Sequence, residues 1–480
     1  MNRIQQVSTK SYYVPTLIFT FFLGFYLFTA KGVVHIADGM VNFQTTRSMV
    51  EDGSLAVDCA IIDEFVVRHA NGRCYSKYDL GLPLASLPLY LVGRLLGGPD
   101  PQDFYTTSTT KLFVSLLPQI VTAVSCALLY LLALYISGQE TAAFGVAFLF
   151  GVATLAWPYA GLYFSQSLIA FLLLLAVTLL IKQPPTQTAA LAGAGLALGW
   201  ACLTRLDTLP LILLVMIYAA YRLWRERVTV RHWVAALFWL GAPVALALLV
   251  YVGMNGVRTG RLTQLGYANE GWTTPFLTGL YGLLLSPGRG LVFYSPLAVL
   301  AALGLWALWW RGWRAETLLI GGLLIVQIAI YASWWAWEGG VVWGPRFLVS
   351  TQPVLMIGLL PWLDGSWPKW PLVGTAVLAF IIQFVGMATE AGTYLQDSGF
   401  TYQQTLFAWR ASPLIGQFKD LLGRKYAFLL ANRAYGLLST AELLLWLLIC
   451  LVLMFVPLWL LRGRFSGENA DYRVFCKQEQ

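Results

Sequence analysis

Residues 13–30 read YVPTLIFTFFLGFYLFTA, residues 37–58 read ADGMVNFQTTRSMVEDGSLAVD, and residues 72–88 read GRCYSKYDLGLPLASLP. An apolar run long enough to cross a bilayer therefore runs directly into a polar, charged loop, which ends in a Pro-containing apolar segment. A carboxylate just outside a membrane helix (Asp38), followed by a Lys ahead of that segment (Lys77), is a layout suited to a site beside the membrane surface.

The rest of the chain extends the pattern. Of its 480 residues 58% are hydrophobic and only 11% charged, against about 25% charged in soluble domains. Apolar runs of ~20 residues recur, and only helices or closed barrels can hide their backbone polar groups in lipid. The expected fold is an all-α polytopic membrane protein of about twelve spans at ~20 residues each. The spans fall near 13–30, 111–136, 141–159, 166–182, 188–204, 208–224, 233–254, 290–310, 317–335, 346–363, 371–388 and 439–461. Residues 81–97 (GLPLASLPLYLVGRLLG) are short, with two Pro and an Arg, and read as an interfacial or re-entrant helix, a full span being the alternative. The chain reads as one transmembrane unit over 1–480. Its parts include a large first extracytoplasmic loop (31–110) bearing interfacial helices, a late loop (389–437) and a polar tail (465–480).

Charge orients the chain. The formal net charge of +8 would suggest nucleic acid in a soluble protein. Here the cations fall in short loops, as the positive-inside rule expects, and no nucleic-acid partner is implied. With the N-terminus in the cytoplasm, Lys182, Arg222, Arg225, Arg227, Arg231, Arg311, Arg314, Lys369, Arg462 and Arg464 all lie inside, and so does the C-terminus. The first span lacks a small-residue cleavage site and is expected to stay as an anchor. Nearly every unusual polar motif then falls on the outer face. Many of the 20 Trp sit near span ends, where amphipathic rings favour the interface.

The six Cys and three His form no metal-binding spacing, and no cofactor is evident; a divalent metal stays open. Cys126, Cys202 and Cys450 lie in apolar spans and read as packing residues. Cys59 and Cys74 share the first loop, where an oxidising compartment would permit a disulfide; unpaired thiols are the alternative.

Each polar motif has a functional and a plainer reading. Asp38 is a candidate general base or an N-cap of the helix running through MVNFQTTRSMVED. Arg47 could meet a carboxylate or phosphate, or sit on a solvated helix face. Lys77, with Asp79 in YSKYDLGLP, could neutralise a lipid-linked phosphate or touch headgroups. Arg205 and Asp207 in LTRLDTLP could face an internal site or pair with each other. In SPGRGLVFYSP (286–296), Arg289 stands between Gly288 and Gly290 at a helix start, which favours anion binding over an ordinary turn. In WWAWEGGVVWGPRFL (334–348), Arg346 repeats that logic, Glu338 precedes a Gly pair, and the Trp cluster reads as an aromatic belt before a sugar-stacking surface. One acid and several cations on one face suit a substrate with an anionic group beside the membrane. No phosphate-binding Gly-rich loop, nucleophile elbow or zinc motif occurs, which disfavours soluble nucleotide chemistry and serine hydrolysis.

The first loop resembles that of the GT-C glycosyltransferases, notably the branch holding protein O-mannosyltransferases and bacterial lipid A aminoarabinose transferases. Asp38, Arg47, Met49 and Gly53 follow the order of that loop's Asp motif, Arg-x-Met helix and Gly turn, and Lys77 stands at the counterpart of its Lys-Pro motif. The chain has Gly39 where the family often has Glu, and Asp79 where it often has Pro. SPGRGLVFYSP and GPRFL are similar to stretches of bacterial members. The resemblance implies a polyprenyl-phosphate-linked sugar donor, inversion at the anomeric carbon and chemistry on the extracytoplasmic face of a plasma membrane of bacterial type. Asp38 would be the base, with Lys77, Arg289 and Arg346 on the donor phosphate. Arg47, Asp79, Arg205, Asp207 and Glu338 would support them, with the lipid tail in a groove having 81–97 as one wall. The acceptor stays open: protein, lipid or glycan. The rival readings are a transporter or flippase of a lipid-linked anion, expected to show internal repeats, and a non-catalytic subunit of a membrane complex.

Overall fold

The structure is a computed structural model that describes residues 13–60, 65–101, 106–264, 266, 270–428 and 438–475, with side chains described to Arg462. Residues 1–12, the 429–437 part of the late loop, and the end of the tail with Cys476 lie outside the described residues.

Each of the twelve expected spans falls on helix. Eight helices are long and apolar enough to cross a membrane: Thr109–Ser137, Ser165–Lys182, Leu206–Arg225, Val230–Thr259, Arg314–Ala332, Arg346–Leu363, Trp370–Ala388 and Thr440–Arg462. The other four are shorter: Tyr13–Phe28, Glu140–Ala153, Thr188–Thr204 and Pro296–Trp310. Two of these are cut by local breaks. Thr154 is extended, separating Glu140–Ala153 from Ala156–Ala160. Ser295 likewise separates Leu291–Tyr294 from Pro296–Trp310.

Small residues let the spans approach closely, as membrane packing requires. A Cβ on Gly195 would lie 1.9 Å from the carbonyl oxygen of Trp239, and one on Gly199 2.7 Å from that of Pro243, so helices Thr188–Thr204 and Val230–Thr259 meet backbone to backbone. Outward, Leu237, Leu249 and Trp459 are exposed, as side chains facing lipid would be.

The first loop is built differently. Helix α1 (Tyr13–Phe28) leads through an extended connector to α2 (Ala37–Glu51), then strands β1 (Ala56–Val57), β2 (Val66–Arg68) and β3 (Cys74–Ser76), and α3 (Gly81–Gly97). The strands form a small antiparallel sheet in the order β1-β3-β2, with Val57 opposite Cys74. Cys59 and Cys74 form a disulfide, which resolves the pairing that spacing left open.

Helix α2 has little apolar character, yet Asn42, Gln44, Thr45, Thr46, Arg47 and Ser48 are all buried. Several of its polar groups are satisfied at hand, as burial demands. Thr45 and Thr46 donate to the carbonyls of Val41 and Asn42 at 2.9 and 3.1 Å, and Thr46 also reaches Pro83 O at 3.2 Å. Asn42 Nδ2 donates to Asp38 O at 2.7 Å. The helix is therefore a fixed platform wedged between the spans and α3. At 17 residues, α3 is about 25 Å long, short of a ~30 Å hydrocarbon core. Its last turns expose Leu91, Val92, Leu95 and Leu96, in keeping with an interfacial helix.

Candidate active site

Asp38 lies in the first turn of α2, with Ile36 as the N-cap; the capping alternative for Asp38 is thereby corrected. Gly39 lets this turn close on the next segment, because a Cβ there would lie 2.7 Å from Tyr163 O. The Asp38 carboxylate accepts from Arg346 Nη2 and from the Tyr78 hydroxyl. Burial pushes its pKa up, but Arg346 and Tyr78 outweigh burial and hold it below the ordinary carboxylate range.

Arg346 opens the 346–363 span, which is the most enclosed of the eight. Besides Asp38, its Nη1 donates to Gly339 O at 3.1 Å, and its guanidinium lies 4.1 Å over the Phe164 ring. Phe347 next to it stacks on Tyr331 with centroids 3.8 Å apart. Gly344 gives the chain its turn into the span: its φ is +63°, and a Cβ would meet Tyr294 at 2.9 Å.

Tyr331 connects this pair to a second. Its hydroxyl donates to Asp207, which also accepts from Arg205 Nε at 3.0 and 3.1 Å. The local Arg205–Asp207 pair expected as the plainer reading is present, but it is not isolated. It forms the charged end of a 360 Å³ cavity whose walls are otherwise mostly apolar, including Leu209, Pro210, Tyr251, Trp272 and Trp334. Those walls come from the spans 206–225, 230–259 and 314–332 and their flanking loops. Residues 81–97, expected as a groove wall, do not line this cavity.

Glu270 stands at the same cavity and takes Lys77, with Nζ to Oε1 at 2.6 Å. Lys77 also sits 4.6 Å over the Phe65 ring. Asp79 pairs with Arg258 at 3.2 Å, both almost fully buried. Burial pushes Asp79 up to about 6, against the pull of Arg258. Arg258 also donates to Tyr78 O, so the segment 77–79 is pinned from three sides.

The expectation of one acid facing several cations is corrected by these contacts. Asp38, Asp207, Glu270 and Asp79 stand against Arg346, Arg205, Lys77 and Arg258, each carboxylate with its own cation. Sequence reasoning missed Glu270, Arg258, Tyr78 and Tyr331. Arg258 had a signal, a basic residue in the last turn of a long apolar helix; Glu270 in an irregular loop and the two Tyr had none.

The other candidates go elsewhere. Arg289 is almost fully buried, and its Nε, Nη1 and Nη2 donate to the carbonyls of Glu338, Gly288 and Gly340 at 3.2, 2.7 and 2.8 Å. It thus fastens the 338–340 turn, whose Gly339 carbonyl in turn holds Arg346, and its donors do not open onto an anion site. Glu338 contributes its backbone there; burial raises its carboxyl above the usual range. Arg47 on α2 pairs with Asp52, just past the helix end, at 3.0 Å. The Trp cluster divides: Trp337 and Trp343 are buried, while Trp335 donates to Glu270 at 3.1 Å, so it is not a simple interfacial belt. Among the described residues no three His, Cys, Asp or Glu side chains gather where they could hold a metal ion.

No protein-family model matches the chain, and no curated protein sequence does. Among solved structures it is similar to ArnT from Cupriavidus metallidurans bound to undecaprenyl phosphate, at 15% identity over 94% of this chain and 76% of that one, with a TM-score of 0.47. The apo form of the same protein gives 14% identity over 93% and 75%, with a TM-score of 0.47. The apo oligosaccharyltransferase of Archaeoglobus fulgidus gives 11% identity over 83% of this chain and 59% of that one, with a TM-score of 0.49.

Proposed function

We propose that this chain is an integral membrane glycosyltransferase that moves a sugar, with inversion, from a polyprenyl-phosphate-linked donor to an acceptor at the extracytoplasmic face, both termini being cytoplasmic. The observation that carries the reading is the Asp38–Arg346 pair, electrostatically coupled to Arg205, which stands at the charged end of an apolar cavity between spans. A lipid tail fits the apolar walls, and a phosphate at their end would meet Arg205 in the lining, with Lys77 held beside it by Glu270.

In the reaction, the acceptor hydroxyl oxygen bonds to the anomeric carbon. The bond from that carbon to the phosphate oxygen breaks, its electron pair leaving with polyprenyl phosphate. The acceptor proton passes to Asp38. Arg346 and Lys77 meet the phosphate, where cations aimed at charge that grows in the transition state lower the barrier most; Arg205 adds to the field, and Arg289 holds the turn that positions Arg346.

The prior pairing of every cation gives binding a sequence. A carboxylate tied to Arg346 is a weak base, because proton affinity falls with pKa. A donor phosphate that draws Arg346 away would raise the proton affinity of Asp38 at the moment the acceptor needs it. Asp38 is thus inactive until the donor is seated.

The test is incubation of the purified protein with a panel of polyprenyl-phosphate sugars, following release of polyprenyl phosphate. Release with one donor class supports the reading. No release with any donor, from folded protein, rejects it and favours a transporter or a partner subunit.

A further inference from the structure

A second cavity of 330 Å³ is lined by the connector before α2 (Lys31, His35, Ile36), by Leu162 and residues 341–343, and by the late loop around Thr389, Glu390 and Gln417. Its volume is at the lower end of the ~300–1,000 Å³ typical of ligand pockets. Unlike the first cavity, its lining is largely polar, and none of these residues has a part in the donor site.

Several polar atoms in this lining have no hydrogen-bond partner among the described residues. Trp343 Nε1, Gln417 Nε2 and His35 Nδ1 are buried and unbonded, and both Trp343 and Gln417 are buried as whole residues. Buried polar groups are almost always satisfied, and leaving one unmet costs ~1–3 kcal/mol, so three around one cavity point to something that meets them. The Gln417 amide strengthens this. Thr389 Oγ1 lies 2.7 Å from Val385 O and 2.8 Å from Gln417 Oε1. One hydroxyl proton cannot serve both, so whichever way the amide is turned, one of its polar atoms is left over. Lys31, also buried, spends its ammonium on Thr389 O at 3.4 Å, which leaves two of its three protons.

The charges do not ask for an ion. Glu390 lies 2.7 Å from His35 and acts electrostatically on Lys31, so the fixed cation already has its anion. What remains is a mixed set of donors and acceptors beside the apolar side chains of Ile36, Leu162, Val341 and Val342. Hydroxyl groups both donate and accept, and a sugar ring offers a C–H face to apolar walls.

We propose that this cavity is a binding site for an uncharged, hydroxyl-bearing ring such as a hexose unit. Its role as the seat of the acceptor rests on the glycosyltransferase reading. His35 is three residues from Asp38, at most about 11 Å along the chain, and Trp343 is three residues from Arg346, so a ring held here lies next to the candidate base.

The experiment uses the full chain in lipid nanodiscs, titrated with neutral methyl glycosides, with a methyl glucuronide as the charged control, and separately with undecaprenyl phosphate. At least one neutral glycoside should bind. Trp343→Phe, which keeps an aromatic ring but removes the pyrrole half of the indole with its N–H, should weaken that binding at least roughly five- to tenfold, as should Lys31→Met, while undecaprenyl phosphate binding stays unchanged in both and reports an intact fold. The site is overturned by no neutral glycoside binding, by binding that neither variant alters, or by a preference for the glucuronide. Glycoside binding without undecaprenyl phosphate binding would uphold the cavity and reject the donor reading.

Discussion

Asp38 and Arg346 are 308 residues apart in the chain and share a buried ion pair. The pair joins the loop after α1 to the start of the most enclosed span; Arg205, at the end of one cavity, acts electrostatically on both residues, and Ile36 and Trp343, in the wall of the other, lie two and three residues from them. Removing either charge leaves the other buried and uncompensated, which costs ~3–5 kcal/mol, whereas removing both costs far less. Arg346→Met should therefore lower the thermal unfolding midpoint sharply. The double variant Asp38→Asn/Arg346→Met should recover much of that loss without recovering transfer. Recovery of transfer by the double variant would take both residues out of the chemistry.

Lys77 and Glu270 make a second pair, which a donor phosphate would enter in the proposed reaction. Lys77→Met removes a charge-assisted partner worth ~1.5–3 kcal/mol, so half-saturation by the lipid-linked donor should rise about tenfold or more, with a smaller change in turnover. The measurement is initial rate against donor concentration; an unaltered donor dependence would place Lys77 in a structural pair only.

Arg289 is expected to act through position. Arg289→Lys keeps the charge but gathers its donors on one nitrogen, so it cannot span the three carbonyls that Nε, Nη1 and Nη2 meet separately. Turnover should fall about tenfold, while undecaprenyl phosphate binding, measured directly, stays near that of wild type. A matching loss of lipid-phosphate binding would put Arg289 back on the anion.

The Cys59–Cys74 disulfide closes a loop of sequence separation 15, and a loop of that length stabilises by about 3 kcal/mol in the chain-entropy picture. Treatment with dithiothreitol, or Cys59→Ser with Cys74→Ser, should lower the unfolding midpoint and loosen 77–79, which follows β3 directly. An unchanged midpoint on verified reduction would show that the sheet holds without it.

Glu390 supplies a pH dependence. A hydrogen bond from His35 holds its carboxyl down at about 2 against the opposing effect of burial, with Lys31 helping, compared with an ordinary 4.5. A depressed carboxylate adds stability above the unfolded-state value and loses it as pH falls through the folded-state value. The wild-type midpoint should thus decline as pH falls from about 5 toward 2, and Glu390→Gln should start lower and fall less. Parallel curves would remove Glu390 from the acid response.

The spans were legible because lipid demands a continuous apolar run, and each expected span fell on a helix. Four came out shorter, two of them because the breaks at Thr154 and Ser295 leave little trace in hydropathy. Asp38, Lys77, Arg205 and Arg346 stood out as charges at membrane boundaries. Their partners did not: Glu270 lies in an irregular loop, and Tyr331 looks like any aromatic in a span. Arg289 was misleading for a physical reason. An Arg between two Gly can as readily be folded back onto backbone carbonyls as offered to a ligand, and only the 338–340 turn, some fifty residues on, decides which.

The most direct measurement is release of polyprenyl phosphate from its sugar-linked form by the wild type and by Asp38→Asn, each shown to be folded and to bind undecaprenyl phosphate. The expected result is release by the wild type and a loss of at least about a hundredfold in the variant, the lower range for removing a general base. Equal release by both proteins would contradict the role of Asp38 as the base.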